Sequence, residues 1–309
     1  MRRALKGFGS YEAGLLGLLV LLMIGFGLAD PAFLSLGAQL DLSGPLWESL
    51  LLAVPMTLIV VTGAIDLSVG AAVSLCAVCF GLMFQSTGSV LTSGMVSLGV
   101  GVLVGTVNGL LVSLINIHSL VVTLATMALG FGIAEGASRG QPFSGFGPTL
   151  NPVAKWAVVF AFGAAVWTAV WTRRSVTGQS LYVIGLNETA AEYSGYPVKR
   201  SKVALFVVQG LMAGLVAVIY AARRGSVKSD IGQGLELDVV TAVVLGGTSV
   251  FGGRGSVWGT VLGALLVHEV RQFASWHWER NELIPLLIGG LLLISVTAGR
   301  VIDGIKTPQ

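Results

Sequence analysis

A chain of 309 residues that is 54% hydrophobic and only 11% charged, with 43 glycines and a mean hydropathy of +0.85, has too little charge to cover a water-soluble domain. Its net charge of +3 comes from basic residues gathered at the ends of apolar runs. That distribution reads as membrane topology and speaks against a nucleic-acid-binding face.

Each bilayer crossing takes roughly 20 apolar residues. The sequence therefore predicts an all-α fold, a polytopic transmembrane helical bundle of about ten spans forming a single permease-like domain over 1–309. The predicted spans are 12–29, 46–62, 68–86, 90–115, 118–138, 154–172, 202–222, 238–252, 255–274 and 283–300. The run from Gly14 to Ala29 is long for a signal-peptide core, so despite the small residues Gly27 and Ala29 it is expected to stay as an uncleaved anchor. Arg2, Arg3 and Lys6 precede it, and Arg173, Arg174, Lys199, Arg200 and Lys202 flank the longest hydrophilic insert. The positive-inside rule puts both groups in the cytoplasm of a bacterial inner membrane protein. An even number of crossings returns Arg300 and Lys306 there, so both termini are expected inside. Arg223, Arg224 and Lys228 then fall outside, partly balanced by Asp230, Glu236 and Asp238.

In GAIDLSVG at 63–70, Asp66 stands between two apolar runs with Ser68 beside it. A carboxylate at membrane depth faces a partner or water. Three roles are open: capping the start of the following helix, contacting hydroxyls of a passing solute, and proton coupling. Asn108, Thr123, Thr126 and Gln209 are polar residues within spans, which either line a path or bond helix to helix. Cys76 and Cys79 form a C-x-x-C inside an apolar span and read as buried small hydrophobes. His118 lies at a turn and suggests nothing sharper.

The insert 173–201 contains GLNETAAEYSGYPVKR at 185–200. Asn187 suits an N-cap for a short helix from Glu188 to Tyr193 that stops at Ser194 and Gly195 and is closed by Pro197. With Ala190 and Ala191 at its centre, it is either a low-relief knob for a partner's cleft or an ordinary connection.

Residues 236–255, ELDVVTAVVLGGTSVFGGRG, predict a broken or re-entrant segment, because non-helical backbone at depth is tolerated where it lines a wet cavity or is buried in protein. Glu236 and Asp238 are not on one helix face and lack a third ligand, so no metal site is expected. They suit the first turn of a short helix, and on the outer face they also suit basic residues of a delivery protein. The spacing of Gly255, Gly259 and Gly263 suits helix packing in lipid. The pairs Gly246, Gly247 and Gly252, Gly253 suit unwound backbone, and Arg254 is expected near the inner surface. His268-Glu269 begins a zinc-protease motif that Gln272 breaks. His277, between Trp276 and Trp278, suits an outer aromatic belt.

The stretches 185–200, 63–70 and GLELDVVTAVVLGGTSVFGGRGSVWGT at 234–260 resemble the permease subunits of bacterial ABC importers for monosaccharides, a family that includes ribose, xylose, arabinose, rhamnose and autoinducer-2 systems. The resemblance implies a second permease, alike or different, a separate ABC ATPase subunit that uses the ATP, a periplasmic sugar-binding protein, and surrounding membrane lipid. It implies no cofactor bound by this chain. It also implies that Gly185, Asn187, Ala190, Ala191, Ser194 and Gly195 form the ATPase-coupling helix. The sequence agrees in having no G-x-x-x-x-G-K-[ST] phosphate loop. Translocation-path or broken-helix residues are expected among Asp66, Ser68, Asn108, Gln209, Glu236, Asp238, Gly246 and Gly247. SLCAVCFGLMFQS at 74–86 and GSVKSDIG at 225–232 are similar to the autoinducer-2 permeases. A branched-chain amino-acid permease and an ion-driven secondary transporter are the alternatives.

Overall fold

A computed structural model describes residues 9–146, 150–277, 284–291 and 293. In chain order the helices are α1 (Ser10–Ala29), α2 (Leu36–Leu42), α3 (Gly44–Val61), α4 (Val69–Thr87), α5 (Val90–Ser113) and α6 (Ser119–Ser138). They continue as α7 (Asn151–Arg174), α8 (Val176–Leu186), α9 (Glu188–Tyr193), α10 (Val198–Arg224), α11 (Leu235–Leu245) and α12 (Val257–His277). Two short strands, β1 (Phe143–Ser144) and β2 (Ser226–Val227), pair antiparallel, Phe143 against Val227.

Among the described residues, seven helices are long and apolar enough to cross a membrane: α1, α3, α4, α5, α6, α7 and α10. The short α11, then α12, then a helical segment at 284–291 occupy the three remaining predicted positions. The fold is thus an all-α polytopic bundle. Arg2, Arg3, Lys6, Trp278, Arg300, Lys306 and most of the tenth predicted span lie outside the described residues.

α3 is the hub. It is apolar on all sides and buried along nearly its whole length from Leu50 to Val61, which suits a helix enclosed by others. α7, α10, α11 and α12 surround it. The tightest helix pair is α5 with α10. A Cβ on Gly101 would collide with the carbonyl of Gly210, and one on Gly105 with that of Phe206, so the two backbones meet through small residues. That GxxxG spacing, Gly101 to Gly105 to Gly109, repeats the pattern noticed at 255–263 and was overlooked in the sequence. By contrast α1 stays at the periphery, where Phe26 stacks on Phe273 of α12 at 4.0 Å between ring centroids.

The turns sort to two ends. At one end, with α9, lie the loops at 62–68, 114–118 and 246–256, tied by Gly253 N–H to Val61 O and Ile65 N–H to Ser119 Oγ. At the far end lie β1, β2, the start of α3 and the close of α12, where Trp276 Nε1–H donates to Asp30 at 2.9 Å. That indole bond, followed by the Ala32 N–H, holds the Asp30 carboxyl below the usual range.

Candidate functional site

The α9 end is built by local capping. Asn187, in extended conformation, closes α8 and caps α9, its Oδ1 accepting from Ala190 N–H at 2.9 Å. Ser194 caps the other end, and Gly195 turns the chain at φ 85°, a conformation that disfavours any side chain. Lys202 at the start of α10 is nearly buried and donates to Glu188 at 2.6 Å, while Lys199 pairs with Glu192 at 3.4 Å, so α9 is anchored to α10 at both of its acids. The insert is less hydrophilic than its sequence suggested, because α8 buries Leu181 and Ile184 in a core with Val61 and Val198.

One expectation needs correction here. Ala191 is buried in that same core, at 1% exposure, and cannot belong to the outer surface of a knob. The exposed face carries Ala190 and Ser194, and Tyr193 at 89% exposure projects furthest. Tyr193 was missed because an aromatic is ordinarily assigned to the core, whereas α9 is too short to have more than one inward position.

Next to α9 lies the broken segment. α11 has 11 residues and so is about 16 Å long, roughly half of a hydrocarbon core. Its predecessor loop enters from within the bundle: Gly232 N–H donates to Ser74 Oγ of α4 at 2.9 Å, and Gly232 packs backbone to backbone on Gly70. Glu236 Oε1 accepts from Gly234 N–H at 3.2 Å, and its Oε2 rests against Gly70 without a hydrogen-bond partner. Beyond α11, Tyr11 of α1 donates its hydroxyl to Leu245 O at 2.8 Å, and its ring packs on Gly247. Gly247 has φ 86° and permits the unwinding. Gly246 does not share that role: its φ is an ordinary −66°, and it packs directly on Gly259 of α12 as Ala242 does on Gly263.

The three sequence motifs converge at this loop. Gly253 N–H donates to Val61 O at 2.8 Å, Gly252 packs on Gly63 and Gly185, and Tyr182 donates its hydroxyl to Gly255 O at 3.3 Å. A Cβ on Gly185 would collide with both Val61 O and Gly253 N. Arg254 sits in this loop, its carbonyl accepting from Ser249 N–H.

Asp66 is buried and bonded locally through one oxygen. Its Oδ1 accepts from Ser68 N–H at 2.9 Å and from Ser68 Oγ–H at 2.6 Å, just ahead of α4. Asn108 of α5 donates to Ser68 Oγ at 2.8 Å, and Thr126 of α6 donates to Asn108 Oδ1 at 2.6 Å. Thr123 bonds back to Ser119 O at 2.9 Å. These bonds run from Asp66 Oδ1 to Thr126 and together fix the break between α3 and α4. Gln209 of α10 is apart from this chain of bonds, 1% exposed with neither amide atom partnered.

The far end holds a partly open cavity of about 600 Å³ between α3, α10, α11 and α12, lined also by Ile284 and Pro285. Two ion pairs cross its walls. Arg223 of α10 clasps Glu48 of α3 through two bonds of 2.9 Å, and Arg271 of α12 pairs with Asp238 of α11. The basic cluster at 223–228 is therefore balanced differently from the sequence expectation, since Asp238 is engaged by Arg271 and the counter-ion of Arg223 is Glu48, 175 residues away. Arg224 stacks over the Tyr220 ring at 5.8 Å.

Seven apolar spans and a half-length helix with unwound ends are what a membrane transport subunit is built from. The family described as "Branched-chain amino acid transport system / permease component" matches residues 48–296, and the chain belongs to it, as a permease subunit of an ABC importer. It is 30% identical over 306 residues, covering 95% of this chain and 92% of the relative, to the autoinducer 2 import system permease protein LsrD of Escherichia coli (strain SMS-3-5 / SECEC). Proteins of the same name from Escherichia coli (strain K12) and Shigella flexneri match to the same extent. No solved structure matches.

Proposed function

We propose that the chain carries a sugar-like small molecule of the autoinducer-2 kind across the bacterial inner membrane by alternating access, with ATP hydrolysed by a separate ABC ATPase. The name of the relatives supports that cargo, as do the stretches 74–86 and 225–232, while the motifs at 63–70, 185–200 and 234–260 support the importer family. The observation that carries the reading is the junction of α8, which runs directly into α9 at Asn187, with the broken segment through Gly185, Gly252, Gly253 and Val61. A partner that moves α9 moves α8 through their shared residue Asn187, and with α8 the end of α3 and the loop after α11, since at Gly185 backbone against backbone leaves no compliant side chain between them.

In this reading α9 and both termini face the cytoplasm, with Tyr193, Ala190 and Ser194 in the ATPase cleft. The far end meets a periplasmic binding protein, and a second permease, a copy or a sister chain, completes the pathway in the lipid. The chain contributes no nucleotide site and binds no cofactor of its own. Strong binding resides in the delivery protein, because a path that held the cargo tightly would not release it.

The test is uptake of autoinducer 2 into proteoliposomes containing this chain, its neighbouring ATPase and permease, and the binding protein. ATP-dependent accumulation is the expected result. Uptake by this chain alone, driven by an ion gradient without ATP, would falsify the importer mechanism. The family description names branched-chain amino acids, and ATP-driven uptake of leucine in place of autoinducer 2 would establish that second reading.

A further inference from the structure

Where does a sugar-like cargo touch this chain? Ser68, Asn108 and Thr126 bond to one another and to Asp66 Oδ1 between the start of α4 and helices α5 and α6, so these bonds are spent within the protein. The far-end cavity is the opposite case. His268, only 7% exposed, lines it and makes no hydrogen bond among the described residues. The half-buried hydroxyls of Tyr220 and Ser49 line it too, and the exposed Ser275 and Gln233 stand at its edge. A polar side chain as buried as His268 ordinarily has a partner, and here its ring faces a space wide enough for a ligand or water to supply one.

The two ion pairs add a chemical preference. Arg223 uses Nε and Nη2 on Glu48, which leaves guanidinium donors over beside an acceptor carboxylate. Arg271 with Asp238 repeats the arrangement on the other wall. Adjacent fixed donors and acceptors match vicinal hydroxyls, each of which both donates and accepts. The first turn of α11 adds the positive end of a half-length helix against the same space. At about 600 Å³ the cavity lies within the range of ordinary small-molecule sites.

We propose that this cavity, within a single permease chain, is a transient binding site for a small polyhydroxylated molecule at the outer face, with His268 as a ligand contact and the Glu48–Arg223 and Asp238–Arg271 pairs as diol-binding walls. It rests on the sugar-like reading above for the ligand and for which face is outer. Cargo released by the delivery protein would enter here before the bundle closes over it.

The experiment uses the full chain in lipid nanodiscs and two probes, autoinducer 2 and D-ribose, followed by saturation-transfer NMR, beside uptake by the complete importer. His268→Leu removes the buried contact, and Ser275→Trp places a large ring into the space from an exposed position, with thermal midpoints of both variants checking that they fold. The expected result is saturation transfer to at least one probe in the wild type, lost in both variants, with the half-maximal concentration for uptake raised about tenfold in His268→Leu. Uptake by the wild type with probe signals unchanged in Ser275→Trp overturns the cavity site and leaves the sugar-like reading intact. Signals lost in both variants, in an importer that moves neither probe, leave the site standing and remove the cargo assignment. No signal from either probe, as for a cavity filled by a lipid headgroup, overturns the site.

Discussion

Gly253 donates its backbone N–H to the carbonyl oxygen of Val61 at 2.8 Å, joining the loop after α11 to the last residue of α3. Gly185, one residue before the end of α8, fits against both partners of that bond with no room for a methyl group. Gly185→Ala must separate backbone from backbone, a strain of about 1–3 kcal/mol where side chains cannot yield. The expected outcome is a lower thermal midpoint for the purified chain and a transport rate reduced roughly tenfold or more. The ATPase should still copurify, since the exposed face of α9 is unchanged. Wild-type uptake by Gly185→Ala would show that the junction is not part of the coupling route.

Two neighbours on α9 should behave differently. Tyr193 is 89% exposed and Ala191 is 1% exposed. Tyr193→Ala is expected to release the ATPase in a pull-down while changing stability by less than about 0.5 kcal/mol, as surface substitutions do. Ala191→Arg places a charge in the core beside Ile184 and Val198 and is expected to prevent stable purification of the chain itself. If Tyr193→Ala retains the ATPase at wild-type yield, the docking surface lies elsewhere.

The sequence was most readable where a single physical demand fixes the pattern. Lipid requires long apolar helices, so the spans from α3 to α7 and α10 fall within a few residues of their predicted bounds. The cap at Asn187 and the turn at Gly195 delimit α9 because both act within one helical turn. The site was less legible for reasons of distance. Glu48 and Arg223 are brought together only by the packing of α3 on α10, and no local pattern announces a partner 175 residues away. Ala191 and Tyr193 could not be sorted while the neighbours of α9 were unknown, and α8 looked like loop because its one buried side is short. The role of Gly246 was misread for the same reason: whether a glycine serves a turn or a close approach depends on what lies opposite.

The Glu48–Arg223 pair makes a prediction about which partner matters more. The Glu48 side chain is 5% exposed and that of Arg223 is 24% exposed. Arg223→Met strands a buried carboxylate, with an expected loss of about 3 kcal/mol, whereas the double substitution Glu48→Met with Arg223→Met removes both charges and should recover most of it. Thermal midpoints of the two single variants and the double variant measure the coupling. Additive losses would mean that each residue is stabilised by something other than its partner.

Gln209 carries the final prediction. Its side chain lies within α10 at 1% exposure, and both the amide nitrogen and the amide oxygen lack partners in this arrangement of the helices. A leucine of similar size removes two unsatisfied groups, so Gln209→Leu is expected to stabilise this state by about 1–3 kcal/mol. Alternating access requires another arrangement, and an amide left unpaired in one state shifts the balance towards a state in which it is paired. The variant should therefore melt at a higher temperature and transport more slowly, by about fivefold or more for a shift of that size. A lower melting temperature would mean that the amide is already bonded in this state, through water, and that its burial belongs to the static fold.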